Sequence, residues 1–124
     1  MRQPVIRSMG AHNIDIIRRR PDMIVKTQVL ERSARVALSG RFDFKVYRDF
    51  KEAYTPLLDN GAVHEIEIDL GKVDYMDSAA LGMLLLLKER ADSRPITLVN
   101  AYGVVSRLLE VANFDRIFSV RSMP

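Results

Sequence analysis

The stretch Glu65-Ile66-Glu67-Ile68-Asp69-Leu70 alternates strictly between polar and apolar residues, so Ile66, Ile68 and Leu70 share one face of a strand. From about Ser78 to Ala91 the period changes to a helical one. Leu81, Leu84 and Leu85 form a stripe there, and Ala80, Met83, Leu87 and Ala91 carry it well round the cylinder. Beyond Pro95 comes a second β-rich run, Ile96-Thr97-Leu98-Val99. A strand, a helix and a strand in succession constrain the chain more than any other feature, because they point to parallel strands in one sheet with the helix packed against it.

The rest of the chain extends this pattern. Ile24 to Leu30 and Ala34 to Leu38 are β-rich and partly alternating, with Glu31-Arg32-Ser33 as a short hairpin turn and Ser39-Gly40 as the stop of the second strand. From Asp43, a candidate cap, the apolar residues Val46, Phe50, Ala53, Tyr54 and Leu57 recur at helical spacing, and Pro56 is expected to kink or end that helix near Thr55. Gly71-Lys72 comes after the strand at 65–70. A third helix uses Val105, Leu108, Leu109 and Ala112, and Ile117-Phe118-Ser119-Val120 closes the chain. The expected order is β-β-α-β-α-β-α-β: an α/β fold with a mixed, mainly parallel sheet and helices packed on it. Residues 1–22 lack periodicity and contain Pro4, Gly10 and Pro21, so they are read as an extension, at least partly mobile, ahead of one domain over 23–122.

Charge narrows the function. The net +3 is unevenly placed: residues 1–26 hold six basic and two acidic side chains, while the remainder carries thirteen bases and fourteen acids. The body of the chain thus offers no charge excess for a phosphate backbone, and direct nucleic-acid binding is not expected. The absence of cysteine excludes disulfides, thiolate metal sites and a cysteine nucleophile. The longest apolar run, Met83 to Leu87, is far below the roughly 20 residues of a membrane span, and the N-terminus lacks a signal-peptide core. A cytoplasmic location is expected.

Catalytic options are few. His12 and His64 are the only histidines, and neither a metal cluster nor a Ser-His-Asp constellation can be built from them. Ser78 stands between a strand and a helix, as an esterase nucleophile does, but Met76-Asp77-Ser78-Ala79-Ala80 is not G-x-S-x-G. No glycine-rich phosphate loop with lysine occurs. The chain is read as a non-enzyme, with no cofactor and no metal. As a helix cap, the Ser78 hydroxyl would accept a first-turn N–H, worth about 1 kcal/mol. As a phosphoacceptor, it would place charge at the positive end of the helix dipole, where a phosphate is tolerated, and that charge would repel an acidic partner or block an apolar one. The helix behind it is either buried between sheet and neighbours or an apolar docking surface.

Met76-Asp77-Ser78-Ala79-Ala80-Leu81-Gly82 resembles the D-S-[ST/A]-G-L-G signature of the STAS domain family, specifically the anti-sigma factor antagonists of bacterial partner-switching systems. Leu38-Ser39-Gly40-Arg41-Phe42-Asp43 is similar to that family's L-x-G-x-[LF]-D segment, and Val104 to Phe114 is similar to its C-terminal helix. The resemblance covers about residues 24–120. It implies a phosphoprotein that binds an anti-sigma factor or serine kinase, is released by phosphorylation at Ser78, and is restored by a metal-dependent serine phosphatase. It also implies that Asp77 is the acidic neighbour of Ser78 and that Gly40 and Asp43 belong to the adjoining loop surface; with the apolar helix read as a docking face, the expected partner surface adds Ala80, Leu81, Gly82, Met83 and Leu87. Ala80 stands where the family commonly has glycine, a change expected to alter the surface a kinase touches. Two other roles compete: an STAS scaffold or transporter-accessory subunit in which Ser78 is only a cap, and a serine hydrolase. A homodimer through the leucine-rich helix is a further expectation.

Overall fold

The computed structural model describes residues 5–8, 13–19 and 23–122. The elements are β1 (Val5–Ser8), β2 (Asn13–Arg19), β3 (Met23–Leu30), β4 (Ser33–Phe42), a 3-10 turn (Phe44–Val46), α1 (Tyr47–Leu58), β5 (Glu65–Met76), α2 (Ser78–Ala91), β6 (Ile96–Ala101), α3 (Gly103–Val111), a second 3-10 turn (Phe114–Arg116) and β7 (Ser119–Ser122). From β3 onward this is the order expected from sequence. Among the described residues the strands form one seven-stranded sheet in sequential order, antiparallel from β1 to β4 and parallel from β4 to β7. The sheet is therefore mixed, and mainly parallel within 23–122.

Regular structure begins earlier than residues 1–22 suggest. β2 pairs with β3 along its whole length, and β1 pairs with β2. The extended habit of these segments comes from pairing with an existing strand, a long-range effect to which local composition is blind.

The β3–β4 hairpin turns on Glu31 and Arg32, with Leu30 opposite Ser33 and Glu31 in the left-handed region. Three expected boundaries move. β4 runs past Ser39-Gly40 to Phe42, β5 runs past Gly71-Lys72 to Met76, and these two extra segments pair with each other (Ser39 with Lys72, Gly40 with Val73, Phe42 with Met76). Gly40 makes this feasible. Its φ of +102° lies where only glycine sits without strain, and the register shifts between Gly40 and Arg41. In α1, Pro56 does not end the helix, which continues to Leu58; lying close to the C-terminus, it removes only one internal hydrogen bond.

Each crossover between the parallel strands advances to the next strand in the same direction, so right-handed connections put α1, α2 and α3 on one face of the sheet. The burial agrees. Ala34, Val36 and Leu38 of β4, Ile66, Ile68 and Leu70 of β5, and Ile96 and Leu98 of β6 point into a core shared with Phe50, Tyr54 and Leu57 of α1 and Leu84 and Leu87 of α2. Phe42, Phe50 and Tyr54 form an edge-to-face chain at centroid separations of 5.1 and 5.2 Å. Each such buried side chain contributes roughly 1.5–3 kcal/mol.

The other face of the sheet is polar. Glu67 pairs with both Arg35 and Arg121, and Arg35 also reaches Asp69. Asp69 accepts further bonds from the Gly71 N–H at 2.9 Å and the Asn100 amide at 3.2 Å. Burial alone would raise the Asp69 carboxyl, but these donors and the Arg35 guanidinium hold it below the usual aspartate range. A side chain at Gly71 would press on Asp69 and Asn100 at 3.1 and 3.2 Å, so glycine here keeps the knot closed.

Candidate functional site

Phe42 and Met76 are register partners at the ends of β4 and β5, so Asp43 and Asp77 leave the sheet side by side. Both keep extended backbones, and each caps the helical turn after it. The Asp43 carboxylate accepts the Lys45 N–H at 3.0 Å, and the Asp77 carboxylate accepts the Ala80 N–H at 3.1 Å. Asp43 is buried, with Arg41 Nε 3.7 Å from its free oxygen.

Ser78 is therefore not the cap of α2. It is the first helical residue and is exposed, with Asp77 in the capping place. Its N–H and that of Ala79 belong to the four that a helix cannot satisfy within itself. The hydroxyl is available at the solvent edge beside the positive end of the helix dipole.

Gly40, Asp43, Asp77, Ser78 and Gly82 all come to this edge of the molecule or lie directly behind it. Three other expected surface residues do not. Ala80, Met83 and Leu87 are buried in the core between α2 and the sheet, so no partner can touch them in the folded chain. Leu81 is half-buried and packs against that core. Because α2 is apolar nearly all round, its sequence cannot reveal which flank turns inward. The alanine at position 80 is likewise enclosed, so it does not alter an exposed surface.

Sequence reasoning missed the exposed apolar residues just past the ends of β4 and β6. Phe44, just beyond β4, is 66% exposed; on the β6 side, Tyr102 and Val104 are 48% and 74% exposed. Tyr75 lies beneath Arg41, whose guanidinium carbon is 3.9 Å from the ring centroid. The ends of β4 and β5 meet, Phe42 beside Met76, which brings Phe44 to the Ser78 side, whereas β6 stops at Ala101, short of the end of β5. His64 is exposed just before β5, and His12 lies outside the described residues. Among the described residues no group of three or more His, Asp or Glu could hold a metal, and no helix is long and apolar enough to cross a membrane.

The mixed sheet with its helices on one face, and the helix opened by Ser78 after β5, agree with the resemblance to the STAS domain family. The chain belongs to this family: residues 25–121 match the family model described as "Mlab, STAS domain". It is 36% identical over 87 residues to a STAS-domain containing protein of Pseudomonas aeruginosa, covering 68% of this chain and 84% of that one. Its fold is that of an anti-sigma factor antagonist from Mycobacterium paratuberculosis, with a TM-score of 0.75, 17% identity, and 84% and 90% of the two chains covered. It is also that of the anti-sigma factor antagonist SpoIIAA in its unphosphorylated form, with a TM-score of 0.67, 16% identity, and 77% and 86% covered. The phosphorylated form of SpoIIAA, described as a Bacillus cell fate determinant, gives a TM-score of 0.62 at 15% identity, with 77% and 89% covered.

Proposed function

We propose that this chain is an anti-sigma factor antagonist of a partner-switching pathway: a binding module, not an enzyme, acting in the cytoplasm. Unphosphorylated, it holds an anti-sigma factor or serine kinase against the edge formed by Asp43, Phe44, Asp77 and Ser78. Phosphorylation of Ser78 releases that partner, and a metal-dependent serine phosphatase restores binding. The observation that carries this reading is the division of labour at the start of α2. Asp77 already caps the helix and Ser78 is exposed, so the hydroxyl is left for chemistry. A phosphate adds about −1.5 to −2 charge beside Asp77 at the centre of a partly apolar rim, which disfavours docking without disturbing the core. The fold shared with SpoIIAA, known in both phosphorylated and unphosphorylated forms, supports the same assignment.

The test is a pull-down with wild-type, Ser78→Ala and Ser78→Asp chains, with bound proteins identified by mass spectrometry. The expected result is a kinase-like or anti-sigma protein held by wild type and Ser78→Ala and lost by Ser78→Asp. The competing reading is a constitutive scaffold or transport-accessory subunit in which Ser78 carries no switch. Equal retention of the same partner by all three chains would select it.

A further inference from the structure

Among the described residues four aromatic side chains reach the surface: Phe44, Tyr47, Tyr75 and Tyr102. Phe44 is the most exposed of them, and its neighbours keep it from turning in. Phe42 and Val46, two residues before it and two after, are buried, so the chain between them arches outward. The arch is fixed by hydrogen bonds. The Asp43 carboxylate accepts the Lys45 N–H at 3.0 Å, the Asp43 carbonyl accepts the Val46 N–H at 3.2 Å, and the Phe44 carbonyl accepts the Tyr47 N–H. Arg41, stacked on Tyr75, lies 3.7 Å from the free oxygen of the same carboxylate. Phe44 is thus an apolar side chain presented on a rigid turn, which loses little freedom when a partner covers it. Tyr75 already carries a guanidinium on its ring, whereas Tyr47 stands one 3-10 turn from Phe44 and shares its side.

The charge around this turn is one-sided. From Arg41 to Asp49 both acids, Asp43 and Asp49, are buried, while Arg41, Lys45 and Arg48 are exposed. The exposed charges beside Phe44 in this segment are therefore all basic. Across the strand ends the sign reverses: Asp74 is exposed, and Asp77 caps α2 ahead of Ser78. The pairing of Phe42 with Met76 joins the two halves, and the helices that start just beyond them, α1 and α2, pack against each other.

We propose that Phe44 is the anchor by which this chain docks the partner gated by Ser78, and that the partner offers it an apolar pocket with an acidic rim; the inference rests on the function proposed above. The side chains that dominate an interface are large, fill a dry pocket and are ringed by contacts that exclude water. At this edge Phe44 has that character. Lys45 and Arg48 stand in the ring around it, which selects acidic groups on the partner. The same choice explains how the switch acts. A phosphate on Ser78 adds about −1.5 to −2 charge beside Asp77, across the strand ends from Phe44, and meets the partner's acidic rim with like charge. Attachment and release thus work on one rim.

The experiment measures, by isothermal titration calorimetry, the Kd of the full chain for the partner named by the pull-down. Phe44→Ala removes the anchor, and Lys45→Glu combined with Arg48→Glu reverses the charge of the rim. Leu30→Ala removes an exposed apolar side chain at the opposite end of the sheet as a control, and Ser78→Asp reads the gate. Each chain is checked for an unchanged thermal melt. We expect Phe44→Ala to weaken binding by about tenfold or more and Leu30→Ala by less than about twofold. Added salt should weaken the wild-type complex, and the charge-reversed chain should bind about tenfold more weakly at low salt, with a flatter salt dependence. An affinity unchanged by Phe44→Ala, in a complex that Ser78→Asp still releases, would overturn the anchor while sparing the gated function. Unchanged or tighter binding by the charge-reversed chain would overturn the acidic rim. Failure to find any partner that distinguishes Ser78→Ala from Ser78→Asp would remove both readings.

Discussion

Arg41 and Tyr75 are register partners on β4 and β5, and the Arg41 guanidinium lies over the Tyr75 ring with its central carbon 3.9 Å from the centroid. The same arginine has Nε 3.7 Å from the Asp43 carboxylate, so one side chain ties the last turns of two strands to the loop that faces Ser78. Tyr75→Ala is expected to cost about 0.5–1 kcal/mol, the usual worth of an exposed cation–π contact. Urea unfolding measures it, and an unchanged midpoint would show that the pair is ornamental.

Gly40→Ala should be far more damaging than its size suggests. Alanine at a φ of +102° is strained, with an expected loss of about 1–3 kcal/mol. The strain is relieved by slipping the Arg41–Phe42 segment. Amide exchange at Arg41, Phe42 and Met76 reads that slip directly, and retained protection there would contradict it.

The capping assignment separates neighbouring residues. Asp77→Ala should destabilise the chain by about 1 kcal/mol, and Asp77→Asn should recover most of it, because the amide oxygen still accepts the Ala80 N–H. Ser78→Ala should leave the thermal midpoint within error. The opposite ranking would return Ser78 to the cap.

The hydroxyl of Tyr54 is buried with no hydrogen-bond partner among the described residues, and burial pushes its phenol above the ordinary tyrosine pKa. Removing the oxygen also removes its desolvation cost. Tyr54→Phe is therefore expected to stabilise the chain by up to about 1 kcal/mol, as chemical denaturation would report. A clear loss would mean that the hydroxyl is satisfied after all.

Asp69 supplies the pH dependence. Its folded-state pKa is lowered from 3.8, so the folded chain holds fewer protons than the unfolded chain as acid is added. The contribution is fully present above the unfolded value and is lost as pH falls through the folded one. Wild type should lose stability below about pH 4 more steeply than Asp69→Asn. Parallel acid-denaturation slopes would exclude Asp69 as the group responsible.

Several features were readable in the one-dimensional pattern. The alternation at 65–70 yields a strand whose Ile66, Ile68 and Leu70 are buried, and the helical run beginning at Ser78 ends at Ala91 as expected. Such elements announce themselves because burial on one side imposes a period of two or 3.6 residues. Gly40, Gly71 and Pro56 misled for a common reason. Each is a breaker by local propensity, yet neighbouring strands or helix-end placement absorbed it.

By itself the sequence determined the order of elements from β3 onward, the parallel sheet, and the placing of an acid and a serine between β5 and α2. It could not determine which flank of α2 would be surface. Ala80, Met83, Leu84, Leu85 and Leu87 are alike in hydropathy, and only the positions of the sheet and α1 decide that Ala80, Met83, Leu84 and Leu87 go inward while Leu85 stays out. Nor could it bring Asp43 and Phe44 to the Ser78 edge. Those residues are separated along the chain, and their convergence results from β4 and β5 ending as register partners, Phe42 beside Met76, a relation that exists only once the sheet has formed.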